Sequence, residues 1–390
     1  MLIMNKEEYN ILRLFRSQNV GPATFVRLLN MFGSVEDAID NIDVYNTRLK
    51  NKIKIASLEE IDKEIVACSS IGAKIITYKN KYYPEILKNI HDFPPVLTLL
   101  GDISLFSKRS VSIVGARNAS SNGCNFAKQI AKDLGEAGFV IISGFASGID
   151  TSVHISSLNT GTIAVLGGSI DNIYPKGNEE LYYKIKNKGL IISELPYGTP
   201  PRSESFPARN RIISGLSEAV IVIEAGAKSG SLHTARQAIE QGRELFVAPG
   251  NPYDPRCEGS NKLLKDGANV ITSVDDIIYH LQNNQIQSKN YSNIQINFKD
   301  SLDSDILNNK NNNYIENDLY DSVDIQEEME LENKEKSIDE IILSKLNHTP
   351  ILIDLLCKDL NIKIDILNAK LIELELDNKL IIENSYVRIK

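Results

Sequence analysis

The sequence predicts an α/β protein: a doubly wound, Rossmann-like parallel sheet with a small helical N-terminal domain and a winged-helix-like C-terminal domain. Two observations carry the central prediction. Continuous apolar runs alternate with helical periodicity from about residue 73 to 281, at Lys74–Tyr78, Val96–Leu100, Val111–Val114, Val140–Ile142, Thr162–Leu166, Leu190–Ile192, Ala219–Ile223 and Leu245–Ala248. Uninterrupted apolar strands separated by helices indicate a parallel sheet buried on both faces. Several of these runs also end in a Gly-rich turn that opens a helix, the usual connection in a doubly wound sheet.

The flanking segments read differently. In residues 1–72, Ile11, Leu12, Leu14 and Phe15 form one apolar helical face. Gly21-Pro22 turns into a second helix with Pro22 near its first position, and Gly33 ends it. This pair is either a helix-hairpin-helix that holds a phosphate or a packing module; its turn has no cation before Arg27. Residues 282–335 are polar and acidic, with the run Asn308-Asn309-Lys310-Asn311-Asn312-Asn313, and read as a disordered linker. In residues 336–390, Ser337 and Glu340 have capping-box spacing, Pro350 opens a second helix through Leu360, and Ile364–Leu376 makes a third. Leu380–Ile382 and Tyr386–Ile389 complete a hairpin. The third helix sets Lys370 among Asp365, Glu373 and Glu375, a poor face for a DNA groove and a better one for a partner.

Charge and composition restrict the function. The net charge is −8, but residues 301–335 hold eleven acidic residues and two lysines, leaving the rest of the chain at +1. A basic groove elsewhere is therefore compatible with the acidic total. No run of about 18 apolar residues exists, and the N-terminus turns charged too early for a secretory signal. Cys68, Cys124, Cys257 and Cys357 form no CxxC pair, which predicts reduced thiols in a cytoplasm and no metal site.

Ligands bind beyond the carboxyl ends of the strands in such sheets, so the residues there are the candidate site. They are Gly115 and Arg117, then Ser143, Gly144 and Gly148, then Lys176, then Lys228, Ser229, Gly230 and Ser231. Phe206, Arg209, Asn210 and Arg211 lie close to a turn between two strands and add a ring, an amide and two guanidinium forks. Guanidinium suits phosphate oxygens, and a ring offers a face to a base. Together they describe a positively charged rim lined with N–H donors that follows a phosphodiester chain. Gly-x-Gly-x-x-Gly and the P-loop are both absent from these turns, which lowers NAD, ATP and GTP and leaves no cofactor expected. No catalytic set emerges: Asp150 and His154, four apart on one helix, read as a structural pair, and Glu224 as an orienter of an arginine.

These residues resemble the DprA/Smf family of DNA-processing proteins. The resemblance rests on Val111 to Arg117, Ser143-Gly144 through Asp150 with His154, Ala164 to Gly167, Ile173-Tyr174-Pro175, Ser193-Glu194 and Phe206 to Gly215. It continues through Ser229 to Arg236, Glu240 to Arg243, Pro249-Gly250 and Gly259-Ser260-Asn261. It implies binding of single-stranded DNA, delivery of the RecA recombinase during transformation and recombination, a homodimer formed through the Rossmann-like domain, and no catalysis. By motif, Arg117 would contact phosphate, Arg209 to Arg211 would line the pocket, Phe206 would stack on a base, and Lys176 and Lys228 to Ser231 would add charge and donors. The chain departs from the family where Asn118 and Ser147 replace basic or larger residues, which implies either weaker binding or the use of Arg202 and Lys228 instead. The alternatives are a nucleotide hydrolase of the lysine-decarboxylase-like family, whose PGG-x-GT-x-x-E glutamate is missing at Ser229 to Thr234, and a protein-interaction scaffold.

Overall fold

The protein, described here by a computed structural model, is defined over residues 4–47, 49–291, 337–383 and 385–390. Five helices come first: α1 (Lys6–Phe15), α2 (Pro22–Phe32), α3 (Val35–Asp40), α4 (Ile42–Asn46) and α5 (Leu58–Ser70). A capping box of Asn5 and Glu8 starts α1, and Gly33 at φ 82° ends α2, a backbone conformation that favours glycine. The predicted face of α1 is buried, and Phe15 meets Phe25 edge to face at 6.0 Å.

The apolar runs then build one sheet from β1 (Lys74–Thr77), β2 (Val96–Gly101), β3 (Ser110–Gly115), β4 (Val140–Ser143), β5 (Thr162–Val165), β6 (Leu190–Ser193), β7 (Ala219–Ile223), β8 (Glu244–Val247) and β9 (Asn269–Val270). Its order is β1-β2-β6-β5-β4-β3-β7-β8-β9. From β6 to β9 all pairs are parallel, as expected. The expectation fails at one edge, where β1 pairs antiparallel with β2 and β2 antiparallel with β6. The segment between β1 and β2 contains a single helical turn, α6 (Glu85–Lys88), and no crossover helix of the kind that usually joins a parallel pair.

Helices α7 (Ser121–Glu136), α8 (Ile149–Ser157), α9 (Glu179–Lys188), α10 (Ser205–Gly215), α11 (Ser231–Glu240), α12 (Glu258–Lys265) and α13 (Val274–Tyr291) connect and cover the strands. Alternation sorts the side chains into two cores: Val111, Ile113, Ile141 and Ile221 pack on one face, Val114, Val140, Ile142 and Val220 on the other. Each such side chain contributes roughly 1.5–3 kcal/mol by leaving water. The order of strands reverses at β3, so β3 and β7 define the switch point, where ligand crevices form in open α/β sheets.

Helix α13 reaches Tyr291, past the predicted start of the linker; the acidic stretch beyond it lies outside the described residues. The tail contains α14 (Ile338–Lys345), β10 (Ile351–Leu352), α15 (Ile353–Leu360), α16 (Ile364–Leu376), β11 (Leu380–Glu383) and β12 (Tyr386–Ile389). The Ser337–Glu340 capping box, the third helix and the hairpin occur where expected. Pro350 precedes the short strand β10 rather than opening the helix, and β10 pairs with β12. Arg256 ties the tail to the sheet by donating to the carbonyls of Ser344 and Leu346 at 3.0 and 2.6 Å.

Candidate nucleic-acid interface

The sheet brings the loops after β3, β4, β5, β6 and β7 to one edge. Arg117, from the β3 loop, lies 5.4 Å from the centroid of the Phe206 ring, and the Tyr174 ring, from the β5 loop, has its centroid 5.8 Å from that of Phe206. Two niches flank Phe206. The larger, about 60 Å³, is lined by Arg117, Phe206, Arg209, Asn210 and Ser229 to Ser231; the smaller lies among Arg117, Gly144, Gly167, Tyr174 and Phe206. Arg117 therefore stands where both niches meet.

The segment Phe206 to Gly215 is a helix, α10, and not the edge of a turn, and this redirects its polar side chains inward. Arg209 is buried; its Nη1 donates to the carbonyls of Gly144 and Val165, and its Nε to Asn210 Oδ1 at 3.1 Å. Burial pulls its pKa down to about 10, against the attraction of Asp150, so it stays charged near neutrality. Asn210 also donates to the Gly230 carbonyl at 3.3 Å. Arg211 pairs with Glu194 at 2.6 Å and with Asp92 at 3.3 Å, with only 5% of its side chain exposed. Phe206 is 8% exposed. A Cβ on Gly167 would come within 2.7 Å of the Phe206 ring, so the floor of the niche requires glycine. Arg209, Asn210 and Phe206 thus line the larger niche with most of each side chain buried, while Arg211 is held by carboxylates.

In the turn after β4 the polar groups are engaged as well. Asp150 Oδ2 accepts from the backbone N–H of Gly144 at 3.0 Å and of Ala146 at 3.2 Å, so these donors already hold an anion. Burial raises the pKa of Asp150, while Arg209 and the N–H groups act the other way. The Ser143 hydroxyl donates to the Ile113 carbonyl at 2.6 Å. His154 bonds Thr162 through Nδ1 at 2.7 Å, and burial lowers its pKa to about 3. Gly115 and Gly148 serve close packing: added Cβ atoms would lie 1.9 Å from the Ile223 carbonyl oxygen and 2.3 Å from that of Arg117.

Glu224 fills the switch point. Its carboxylate accepts from the Ser120 N–H at 2.7 Å and from the Ser120 hydroxyl, while Ser120 Oγ caps α7 through the Gly123 N–H. The N-terminus of α7, where a Rossmann fold receives a dinucleotide phosphate, thus holds the chain's own carboxylate. Glu224 orients a serine and a helix end, not an arginine.

Surface positions remain for Lys176, Lys228 and half-buried Arg117, and α11 starts at Gly230 with no side-chain cap. The Ser229 and Ser231 hydroxyls lie 2.8 Å apart beside it. Sequence reasoning passed over Asp150 and Glu194 as anchors and Tyr174 as a wall. The only signal for Asp150 was its place at the first turn of a helix facing a Gly-rich loop.

Among the described residues no group of His, Cys, Asp and Glu is placed to hold a metal, and no helix is long and apolar enough to cross a membrane. All four cysteines are free thiols, and burial pushes Cys68 and Cys257 up to about 12.

Fold and site together define a Rossmann-like protein whose carboxyl edge gathers two niches around Phe206 and Arg117, with the internal anion positions occupied by Asp150 and Glu224. A family model described as DNA recombination-mediator protein A matches residues 74–282, and one described as a DprA-like N-terminal HHH domain matches residues 5–67. The chain belongs to the DprA/Smf family of DNA-processing proteins. It is 40% identical over 255 residues to the DNA processing protein DprA of Bacillus subtilis, covering 63% of this chain and 86% of that one. It is 35% identical over 298 residues to protein Smf of Synechocystis, covering 71% and 73%. The structure of DprA from Streptococcus pneumoniae superposes with a TM-score of 0.59 at 31% identity, over 70% of this chain and 95% of that one. DNA processing protein A of Helicobacter pylori, whose structure is described for its single-stranded DNA binding mode, gives 0.51 at 32% identity, over 55% and 98%.

Proposed function

We propose that this chain binds single-stranded DNA along the carboxyl edge of its sheet and delivers the RecA recombinase to it, acting as a homodimer through the Rossmann-like domain and without bond chemistry. The observation that supports it best is the place of Arg117: it is held against Phe206 between two niches, with Tyr174-Pro175 lining one and Ser229 to Ser231 the other. Phosphates would follow the cations and the uncapped end of α11, with bases turned toward the niches. Arg209, Asn210, Arg211, Ser143, Gly144, Gly115 and Gly148 would hold this surface in shape. The RecA and dimer parts of the reading draw on family membership.

Fluorescence anisotropy with labelled oligothymidylate tests the DNA reading. Arg117→Ala should weaken binding roughly tenfold, the scale of one charged hydrogen bond, and lower the log–log salt slope by about 0.7. Equal affinity and slope in the variant would overturn it. RecA filament formation on coated strands, with and without this protein, tests delivery.

A further inference from the structure

One buried donor without an acceptor lies outside the niches around Phe206. Arg16 ends α1, with 5% of its side chain exposed. Its Nε donates to both Glu64 oxygens at 3.0 Å and its Nη1 to the Glu194 carbonyl at 2.9 Å, but its Nη2 is buried without an acceptor. Two of its three nitrogens are thus fixed, one by the helical module and one by the loop after β6. Arg16 lines a cleft of about 530 Å³ between that module and Pro196-Tyr197. Lys54 and Lys63 stand exposed at its lip, Lys63 also pairing with Glu59 at 2.7 Å. The acidic residues lining it are engaged: Glu64 holds Arg16, and Glu60 accepts from the N–H and hydroxyl of Ser57 at 2.8 Å. What the cleft offers is an unfilled guanidinium donor, two ammonium groups and a phenol ring, a set that suits a phosphate followed by a planar base.

The cleft also lies on the track. The loop after β6 adjoins the loop after β5, which carries Lys176, because β5 and β6 are neighbours about 4.8 Å apart. We infer that the DNA track continues past β6 onto the N-terminal helical module, where a further phosphodiester of the same strand meets Arg16, Lys54 and Lys63 and its base packs on Tyr197. This rests on the strand-binding reading above, and it makes the helical module part of the binding surface rather than an appendage.

The test uses the full chain and oligothymidylates lengthened one nucleotide at a time, with Lys54→Ala/Lys63→Ala, which changes two exposed residues, and with Tyr197→Ala, whose half-buried ring packs against the core and whose melting temperature is therefore measured alongside. Short oligonucleotides should bind these variants as they bind the unmodified protein. Beyond a threshold length the unmodified protein should gain affinity several-fold and the variants should not. The salt slope for long oligonucleotides should fall by about 0.7 in the double lysine variant, for the one phosphate contact that is lost. Long-oligonucleotide affinity and slope unchanged in both variants would overturn the inference. So would thymidine monophosphate alone binding the cleft in a Lys54- and Lys63-dependent way while the length gain persists in the variants, since the cleft would then serve a free nucleotide. Failure of the underlying reading is a separate result: short oligonucleotides would bind Arg117→Ala as well as the unmodified protein.

Discussion

Arg211 and Glu194 form a buried ion pair, with Arg211 Nη2 2.6 and 2.5 Å from the two carboxylate oxygens and 5% and 12% of the side chains exposed. The pair joins α10 to the loop after β6, and Arg16 adds its bond to the Glu194 carbonyl. Removing one partner strands the other charge inside. Arg211→Ala should therefore lose about 3–5 kcal/mol of stability in urea unfolding. Its affinity for single-stranded DNA, measured per folded molecule, should stay close to that of the unmodified protein, the opposite pattern to Arg117→Ala. A large loss of affinity with unchanged stability would return Arg211 to the open surface.

Gly148 couples packing to the site. It sits at φ 74°, and an added Cβ would lie 2.3 Å from the Arg117 carbonyl oxygen and 2.4 Å from that of Ala116. Gly148→Ala should displace the β3 loop that carries Arg117. Both stability and DNA affinity are expected to fall, the first by about 1–3 kcal/mol for the strained backbone. Calorimetry and anisotropy on one sample would separate this from a purely local contact, which would leave the melting temperature in place.

The strands were legible because apolar runs and their Gly-rich ends are local signals: all eight predicted runs are strands, displaced by at most a residue or two at their ends. The short β9 was not, since two residues carry no periodicity, and neither was the antiparallel edge, which depends on the path of the connections and not on local pattern. The site was half legible. The sequence located the loops and Arg117, but the direction of Arg209 and Arg211 depends on Asp150 and Glu194, whose carboxylates come from other parts of the chain. A charged residue beside a turn looks the same whether its counter-ion is a phosphate or a buried carboxylate. Only the fold brings the carboxylate to it.

Glu224 makes the same point at the switch point. It occupies a left-handed conformation at φ 51° and holds the N-terminal end of α7 through Ser120. Glu224→Ala should cost about 1–3 kcal/mol by leaving the Ser120 N–H unsatisfied, and Glu224→Gln, which keeps an acceptor, distinctly less. The alanine variant also uncovers a helix N-terminus. Its melting temperature should then rise with added inorganic phosphate, while that of the unmodified protein should not. An equal phosphate response in both proteins would mean that Glu224 does not fill an anion position.

The buried His154 sets a pH window. In the fold its pKa is lowered to about 3 from the ordinary 6.5, first by burial and then by the nearby Arg209 charge. Between those values the unfolded chain binds a proton that the folded chain refuses. The contribution of this group to stability is therefore complete above about pH 6.5 and is lost as the pH falls, by at most about 1.4 kcal/mol per pH unit. Urea unfolding from pH 7.5 down to 5 should show this slope in the unmodified protein. In His154→Gln, which keeps a polar group toward Thr162 but cannot titrate, the slope should be smaller by about that amount. Two parallel profiles would show that His154 is protonated as readily in the fold as in the unfolded chain, and that the Phe145–His154 ring contact at 6.1 Å is open to water.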